Sequence, residues 1–245
     1  MRTEGVVISL ELNAEMWNLL SRGPIFEGLS PEAIGQISPC VTYSVRQYGP
    51  GENIYHKGDR VEHLGVVLDG SLVVCDQDAQ GCRTTVADIG RNRLFGEAML
   101  FSSAGTVPHD IYTDKGATVL YLVSDFFMRP CGKDCPNKAA HATVMTNLLR
   151  ILSDRAVQLN RKISYLTAPD LKAKIAMYLY DLYRAMGTTT FRTPFNRDQL
   201  AEFLAVARPS LSREFVNLKK MGVIDFARSN ITILDLDKLR ELAGE

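Results

Sequence analysis

The spacing of apolar residues changes character twice along the chain. Between positions 41 and 123 the apolar runs are short, and glycine or Asp-Gly breaks them repeatedly, at Gly49, Gly51, Gly58, Asp69-Gly70, Gly81, Gly90, Gly96, Gly105 and Gly116. The runs themselves, "HLGVVLDG", "SLVVCD", "TTVADIG" and "ATVLYLV", are rich in valine, leucine and aromatic residues. Short strands separated by tight turns have this rhythm, so the segment is expected to form an all-β barrel or sandwich. "LDGSL" predicts a hairpin, because Asp-Gly readily takes the positive φ values that a two-residue turn needs. Ahead of it, "SPEAIGQIS" predicts a short helix capped by Ser30, with Pro31 as its first residue.

From position 137 to 166 there is no glycine or proline, and Met145, Leu148, Leu152, Ala156, Leu159, Ile163 and Leu166 recur at steps of three and four. Arg150, Asp154, Arg155, Gln158 and Arg161 fall mostly off that stripe, which marks an amphipathic helix. About 30 residues at 1.5 Å each give a length of about 45 Å. Two readings of the stripe stay open: packing inside its own subunit, or a parallel coiled coil with a second copy, whose seam would be Met145, Leu148, Leu152, Leu159 and Ile163.

After position 167 the pattern shortens again. "TAPDLKAKIAMYLYDLYRAMG" reads as a helix that starts near Thr167 or Asp170 and stops at Gly187. "RDQLAEFLAVARPSLSREFVNLKKMG" holds two short helices around a turn at Ala205 to Ala207, and "VIDFARSNITIL" two strands around Ser229 and Asn230. A helix pair followed by a strand hairpin is a winged helix-turn-helix. Ala201 is small enough for the close helix crossing, Ala205 is a weaker choice than glycine for the tight bend, and Pro209 suits the start of the second helix.

Composition narrows the partners. The chain has 245 residues, 46% hydrophobic and 23% charged, with a net charge of zero, so it has no global field to draw it onto a polyanion. A nucleic-acid contact must come from a local patch. Positions 192 to 228 carry seven Lys or Arg against four Asp or Glu, a modest excess that suits a phosphate backbone. The residues offered to DNA are Arg197, Arg208, Ser210, Ser212, Arg213, Asn217 and Lys219, since arginine pairs with both acceptors of guanine and serine bonds to base or phosphate. No apolar run is long enough to span a membrane, and "MRTEGVVISLELNAEMW" lacks a signal-peptide pattern, so a cytoplasmic location is expected. Five cysteines without an export signal point to reduced thiols. With no Gly-rich phosphate loop, nucleophile motif or clustered acid–base pair, an enzyme is not expected.

The succession of β-roll, long helix and winged helix-turn-helix resembles the superfamily of the cyclic-AMP receptor protein and the fumarate and nitrate reduction regulator, over about residues 25 to 242. "LFGEAMLFS" and "FNRDQLAEFLAVARPSLSREFVNLKKMGVI" carry the resemblance. It implies an α+β chain: a cyclic-nucleotide-binding-like jelly roll over 1–136, a dimerisation helix over 137–166 and a winged helix-turn-helix over 167–245. It also implies a transcription regulator that binds palindromic double-stranded DNA as a homodimer, with half-sites 34–36 Å apart, RNA polymerase as a further partner, and Arg208, Ser212 and Arg213 facing bases. Where Pro209 stands, the family often has a glutamate that reads cytosine, so a different target sequence is expected.

In cyclic-nucleotide members a Gly-Glu pair is followed about ten residues later by an arginine that pairs with the cyclic phosphate. Gly96-Glu97 is present here, but no arginine lies between Glu97 and Gly116. A buried phosphate needs charge-assisted partners, so an effector other than cyclic AMP is expected, with Gly96, Glu97, His109 and Asp110 as the pocket candidates. A redox or metal-responsive alternative rests on Cys131 and Cys135, four residues apart at the entrance to the long helix, with His141 as an added nitrogen ligand. The family's iron–sulfur cluster is not expected, because no cysteine precedes Cys40.

Overall fold

The structure, a computed structural model, describes residues 6–8, 14–77, 83–128 and 135–245. It divides into two compact units, residues 1–154 and 155–245. Cys131 and Cys82 lie outside the described residues.

The first unit contains β1 (Val6–Ile8), α1 (Ala14–Ser21), a 3-10 turn (Pro24–Phe26), α2 (Pro31–Ile37), β2 (Tyr43–Tyr48), β3 (Asn53–Tyr55), β4 (His63–Gly70), β5 (Leu72–Gln77), β6 (Arg83–Ile89), β7 (Leu94–Phe95), α3 (Glu97–Leu100), β8 (Asp110–Tyr112), β9 (Ala117–Val123) and α4 (Asp125–Met128), followed by the first part of α5 (Lys138–Thr167). The strands form two antiparallel sheets, ordered β1-β2-β9-β4-β7 and β3-β8-β5-β6. Ser30 caps α2, its side chain accepting from the Ala33 amide, with Pro31 at the first turn as expected.

Alternation along β4 and β9 sends successive side chains to opposite faces of the five-stranded sheet. Val66, Leu120 and Leu122 join Leu20, Ile34, Phe126, Val144 and Leu148 in a core shared with the helices. Val67, Val119 and Tyr121 join Tyr48, Leu72, Phe95, Val107 and Ile111 in a second core between the sheets.

The Asp-Gly signal is corrected by this topology. Asp69-Gly70 is not a hairpin turn: β4 pairs with β9 and β7, while β5 lies in the other sheet between β8 and β6. Gly70 instead marks the corner where the chain changes sheets. Its φ is +77°, and a side chain there would put Cβ 2.2 Å from the Gly116 carbonyl. The glycine signal was a demand for positive φ and close backbone approach, which a corner makes as strongly as a hairpin.

The second unit holds the end of α5, then α6 (Leu171–Met186), β10 (Thr190–Arg192), α7 (Arg197–Phe203), α8 (Arg208–Lys220), β11 (Ile224–Ala227), β12 (Asn230–Ile233) and α9 (Leu236–Ala243). Asp170 caps α6 through the Ala173 amide, and Gly187 ends it in the left-handed conformation. The expected wing strands are present, and β10 adds a third to give the order β10-β12-β11. Ile175, Leu179, Leu200, Leu211, Phe215, Leu218, Ile224 and Ile231 are fully buried at the centre of this unit.

Candidate nucleic-acid interface and effector region

α7 and α8 are positioned by local chemistry that the sequence carries. Asn196 accepts from the Gln199 amide at 2.9 Å, and Gln199 returns a side-chain oxygen to the Asn196 amide at 2.9 Å, a capping box that fixes where α7 starts. Ala201 is buried between the helices. The bend rests on Ala205 at φ +53°, a left-handed conformation that costs a non-glycine residue about 1 kcal/mol or more. α8 then starts at Arg208-Pro209, after Ala207, whose side chain gives no cap.

On α8 the buried residues are Leu211, Phe215 and Leu218, and the opposite face is exposed. That face presents Arg208, Ser212, Arg213 and Asn217 together, with Ser210 partly covered. Arg213 Nη2 lies 3.3 Å from Ser210 Oγ, and Asn217 donates to Glu214 at 3.2 Å. Arg208 pairs with Asp198 of α7 at 2.9 Å, an exposed contact that a nucleic acid can replace at small cost. Lys219 pairs with Asp225 of the wing, and that ammonium holds the Asp225 carboxyl below the usual carboxylate range.

Arg197 is the residue of this set that the structure moves elsewhere. Its guanidinium lies 3.6 Å over the Phe215 ring and 5.2 Å from the Phe226 ring centre. Both terminal nitrogens are shut off from solvent without a hydrogen-bond partner among the described residues, and burial lowers the pKa. The reason is proximity: the first turn of α7 sits against the aromatic side of α8, and cation–π stacking on Phe215 competes with exposure. Arg197 is therefore part of the helix pair's packing rather than of its exposed face.

In the first unit, Gly96 has φ +82° and opens α3, and Glu97 behind it is buried at 1% exposure. His109 and Asp110 belong to the other sheet and to its surface ion pairs. His109 Nδ1 is 2.9 Å from Asp76, and Asp110 accepts from the Lys57 amide at 2.8 Å with His56 3.7 Å away. The loop after Glu97 leads Val107 and Ile111, not a cation, into the core between the sheets. Arg46 of β2, which the sequence did not single out, brings a guanidinium 5.4 Å from the Tyr121 ring centre, and the Tyr121 hydroxyl is 2.6 Å from that of Tyr48.

The long helix needs two corrections. Leu148 is 2% exposed within its own unit's core, with Met145 and Leu152 partly packed against the same core. Leu149, passed over in the sequence, is 62% exposed. Replacing Leu148 by Leu149 gives Met145, Leu149, Leu152, Ala156, Leu159, Ile163 and Leu166, with spacings alternating four and three. Leu149, Leu159, Ile163 and Leu166 are among the chain's most exposed apolar residues. The helix starts at Lys138 rather than at residue 137, and Cys135, expected at its entrance, sits a turn ahead of it. His141 turns inward: its Nε2 is 2.6 Å from the Phe126 carbonyl and its ring packs on Phe126, which removes that nitrogen from any ligand set. No cluster of three His, Cys, Asp or Glu side chains fit to hold a metal ion occurs among the described residues.

Residues 45–134 match the model of the cyclic nucleotide-binding domain and residues 173–242 that of the Crp-like helix-turn-helix domain, together well over half the chain. A CRP-like cAMP-activated global transcriptional regulator of Mycobacterium tuberculosis is 21% identical, over 93% of this chain and 100% of that protein. A probable transcriptional regulator, flp, of Lacticaseibacillus casei is 25% identical, over 90% and 95%. Among solved structures, a CooA mutant from Carboxydothermus hydrogenoformans superposes with a TM-score of 0.53 at 17% identity, over 97% of this chain and 98% of that one, which is a likeness of fold. No helix among the described residues is long and apolar enough to cross a membrane. The chain belongs to the Crp/Fnr superfamily of transcription regulators.

Proposed function

We propose that the protein is a cytoplasmic, homodimeric, sequence-specific regulator whose α8 reads the major groove of a palindromic operator. The observation that carries this reading is the face of α8, where Arg208, Ser212, Arg213 and Asn217 stand clear of the packed helix pair. Arg208 and Arg213 pair with guanine edges or phosphates, and Ser210 and Ser212 fix the register. The dimer forms through the heptad from Met145 to Leu166, which exposes far more leucine than a lone helix keeps in water. Replacing Arg213 with Ala tests the readout. It should cost about 1–3 kcal/mol on the preferred site and relax preference at one base pair. An unchanged preference removes Arg213 from base contact.

The effector differs from cyclic AMP. The core between the sheets is packed with Val107, Ile111, Phe95 and Tyr121, and no arginine follows Glu97 before Gly116. His109 and Asp110 are committed to Asp76 and the Lys57 amide, which leaves Gly96 and Glu97 as the pocket-side pair. Effector binding acts as a population shift between arrangements of the two recognition helices, and RNA polymerase is the machinery it ultimately influences.

One observation favours a second, thiol-based reading. The Asn137 amide, two residues after Cys135, donates to the Gln36 carbonyl at 2.7 Å and lies 3.6 Å from Cys40 Sγ. Exposed Cys40 and half-buried Cys135 thus share a neighbourhood around Asn137. Loss of DNA binding on treatment with a small-molecule disulfide, restored by thiol reductant and absent in Cys135→Ser, would establish this switch.

A further inference from the structure

We propose that a cleft on the outside of the first unit, between the α1-to-turn segment and the β6-to-β7 turn, binds a small phosphorylated molecule and passes its presence to α5. The cleft holds about 420 Å³ and is lined by Arg22, Arg91 and Arg93, with Gly23, Asn92 and Glu27 among the remaining walls. In a chain of zero net charge, three guanidinium groups around one concavity form a strong local concentration of cation. No carboxylate among the described residues is ion-paired with any of the three. Glu27, the acid in the lining, is turned to Arg150 at 3.8 Å.

Both walls are rigid before any ligand arrives. Asn92 is held at φ +62°, its amide N–H donating to the Val67 carbonyl at 2.7 Å and its side chain to the Leu19 carbonyl at 2.8 Å. The opposite wall packs closely at Gly23, where a Cβ would fall 2.4 Å from Asn92 Oδ1 and displace that side chain. Arg91 is oriented by its Nε, which donates to the Leu68 carbonyl at 2.9 Å. A fixed guanidinium loses less freedom on binding, and planar forks match phosphate oxygens two at a time. Three forks exceed what one carboxylate can accept, whereas a phosphate or pyrophosphate group has oxygens for all of them. The volume falls in the range of small-molecule sites.

The cleft is wired to the long helix. Asn147 of α5, 4% exposed, donates to the Ile25 carbonyl at 3.2 Å and the Glu27 carbonyl at 2.8 Å, the segment that forms one wall. Arg150 of α5 forms an exposed ion pair with the Glu27 side chain at 3.8 Å. An anion drawn in by the arginines repels Glu27 toward Arg150 and so tightens the hold on α5 within the heptad itself, between Leu149 and Leu152. The binding step stands on the cleft alone, while its regulatory consequence rests on the DNA-binding reading above.

Isothermal titration at fixed ionic strength, with inorganic pyrophosphate as probe, tests the site. Wild-type protein should bind, the double variant Arg91→Ala, Arg93→Ala should bind at least tenfold more weakly, and Arg240→Ala should match wild type. Thermal unfolding of each variant confirms that it folds. No binding at 10 mM (an upper limit on the order of weak millimolar affinity), or equal affinity in the double variant, overturns the proposal. Capture of a glutamate-rich peptide but not pyrophosphate overturns it too, and would make the cleft a protein contact. The coupling is read separately, as an at least about fivefold change in DNA affinity with pyrophosphate that is lost in Arg150→Gln. Binding without that change removes the regulatory role. Pyrophosphate binding in a protein that selects no DNA leaves the cleft intact and removes the regulator reading.

Discussion

Single positions carry testable strain and titration. Ala205 closes the turn between α7 and α8 at φ +53° without being a glycine. Ala205→Gly should therefore raise stability by about 0.5–1 kcal/mol, measured by denaturant unfolding, since the relief of the left-handed backbone outweighs the extra freedom of the unfolded chain. A loss of stability would show that the alanine methyl packs. His63 is half buried beside Tyr121, and desolvation lowers its pKa from 6.5 against an opposing pull from Glu62, with Arg46 adding to the lowering. A histidine disfavoured as a cation in the native state leaves stability intact above about 6.5 and removes it as pH falls through the lowered native value. His63→Gln should flatten the fall in melting temperature between pH 7 and pH 5 relative to wild type, and parallel curves would contradict this. At this scale the sequence was partly legible. The exposed arginines and serines of α8 could be read from helical spacing, but Arg197 could not, because stacking on Phe215 depends on how two helices cross.

At the scale of elements, periodicity located strands and helices well and their partners less well. The long helix runs Lys138–Thr167 against an expected 137–166, and the winged helix-turn-helix has the expected order. What periodicity could not decide was which flank of α5 turns to its own unit, since Leu148 and Leu149 are both leucines and adjacent. Packing against Leu20 and Phe126 selects Leu148 for the core and leaves Leu149 in the heptad. Asp69-Gly70 failed for a similar reason: the dipeptide specifies a backbone conformation, and the sheet to which the next strand goes is a property of the fold. The heptad makes its own prediction. Leu159→Asp buries a charge in the seam, so sedimentation should show a dimer turning into a monomer while circular dichroism keeps both units folded. A variant that remains dimeric places the seam elsewhere.

For the whole molecule, a net charge of zero requires the proposed functions to sit on separate patches: the α8 face for DNA, the α5 heptad for a second copy, the arginine cleft for an anion. The resemblance in "LFGEAMLFS" and the C-terminal motif was enough to identify the superfamily, because those segments carry both the backbone demands of the roll and the helix crossing. The effector was not legible. Gly96 and Glu97 are present, yet the segment that should bring a phosphate partner contributes Val107 and Ile111 to the apolar core between the sheets. The central claim is that two copies place two α8 helices on one palindrome. It is tested most directly by selecting bound sequences from random duplexes with protein purified without oxygen, with pyrophosphate and oxidant arms, and with Arg213→Ala in parallel. The account predicts enrichment of a palindrome with half-sites about one helical turn apart, altered at one symmetric pair of positions in the variant. Recovery of no common sequence in any arm, or of a common site without two-fold symmetry, would contradict it.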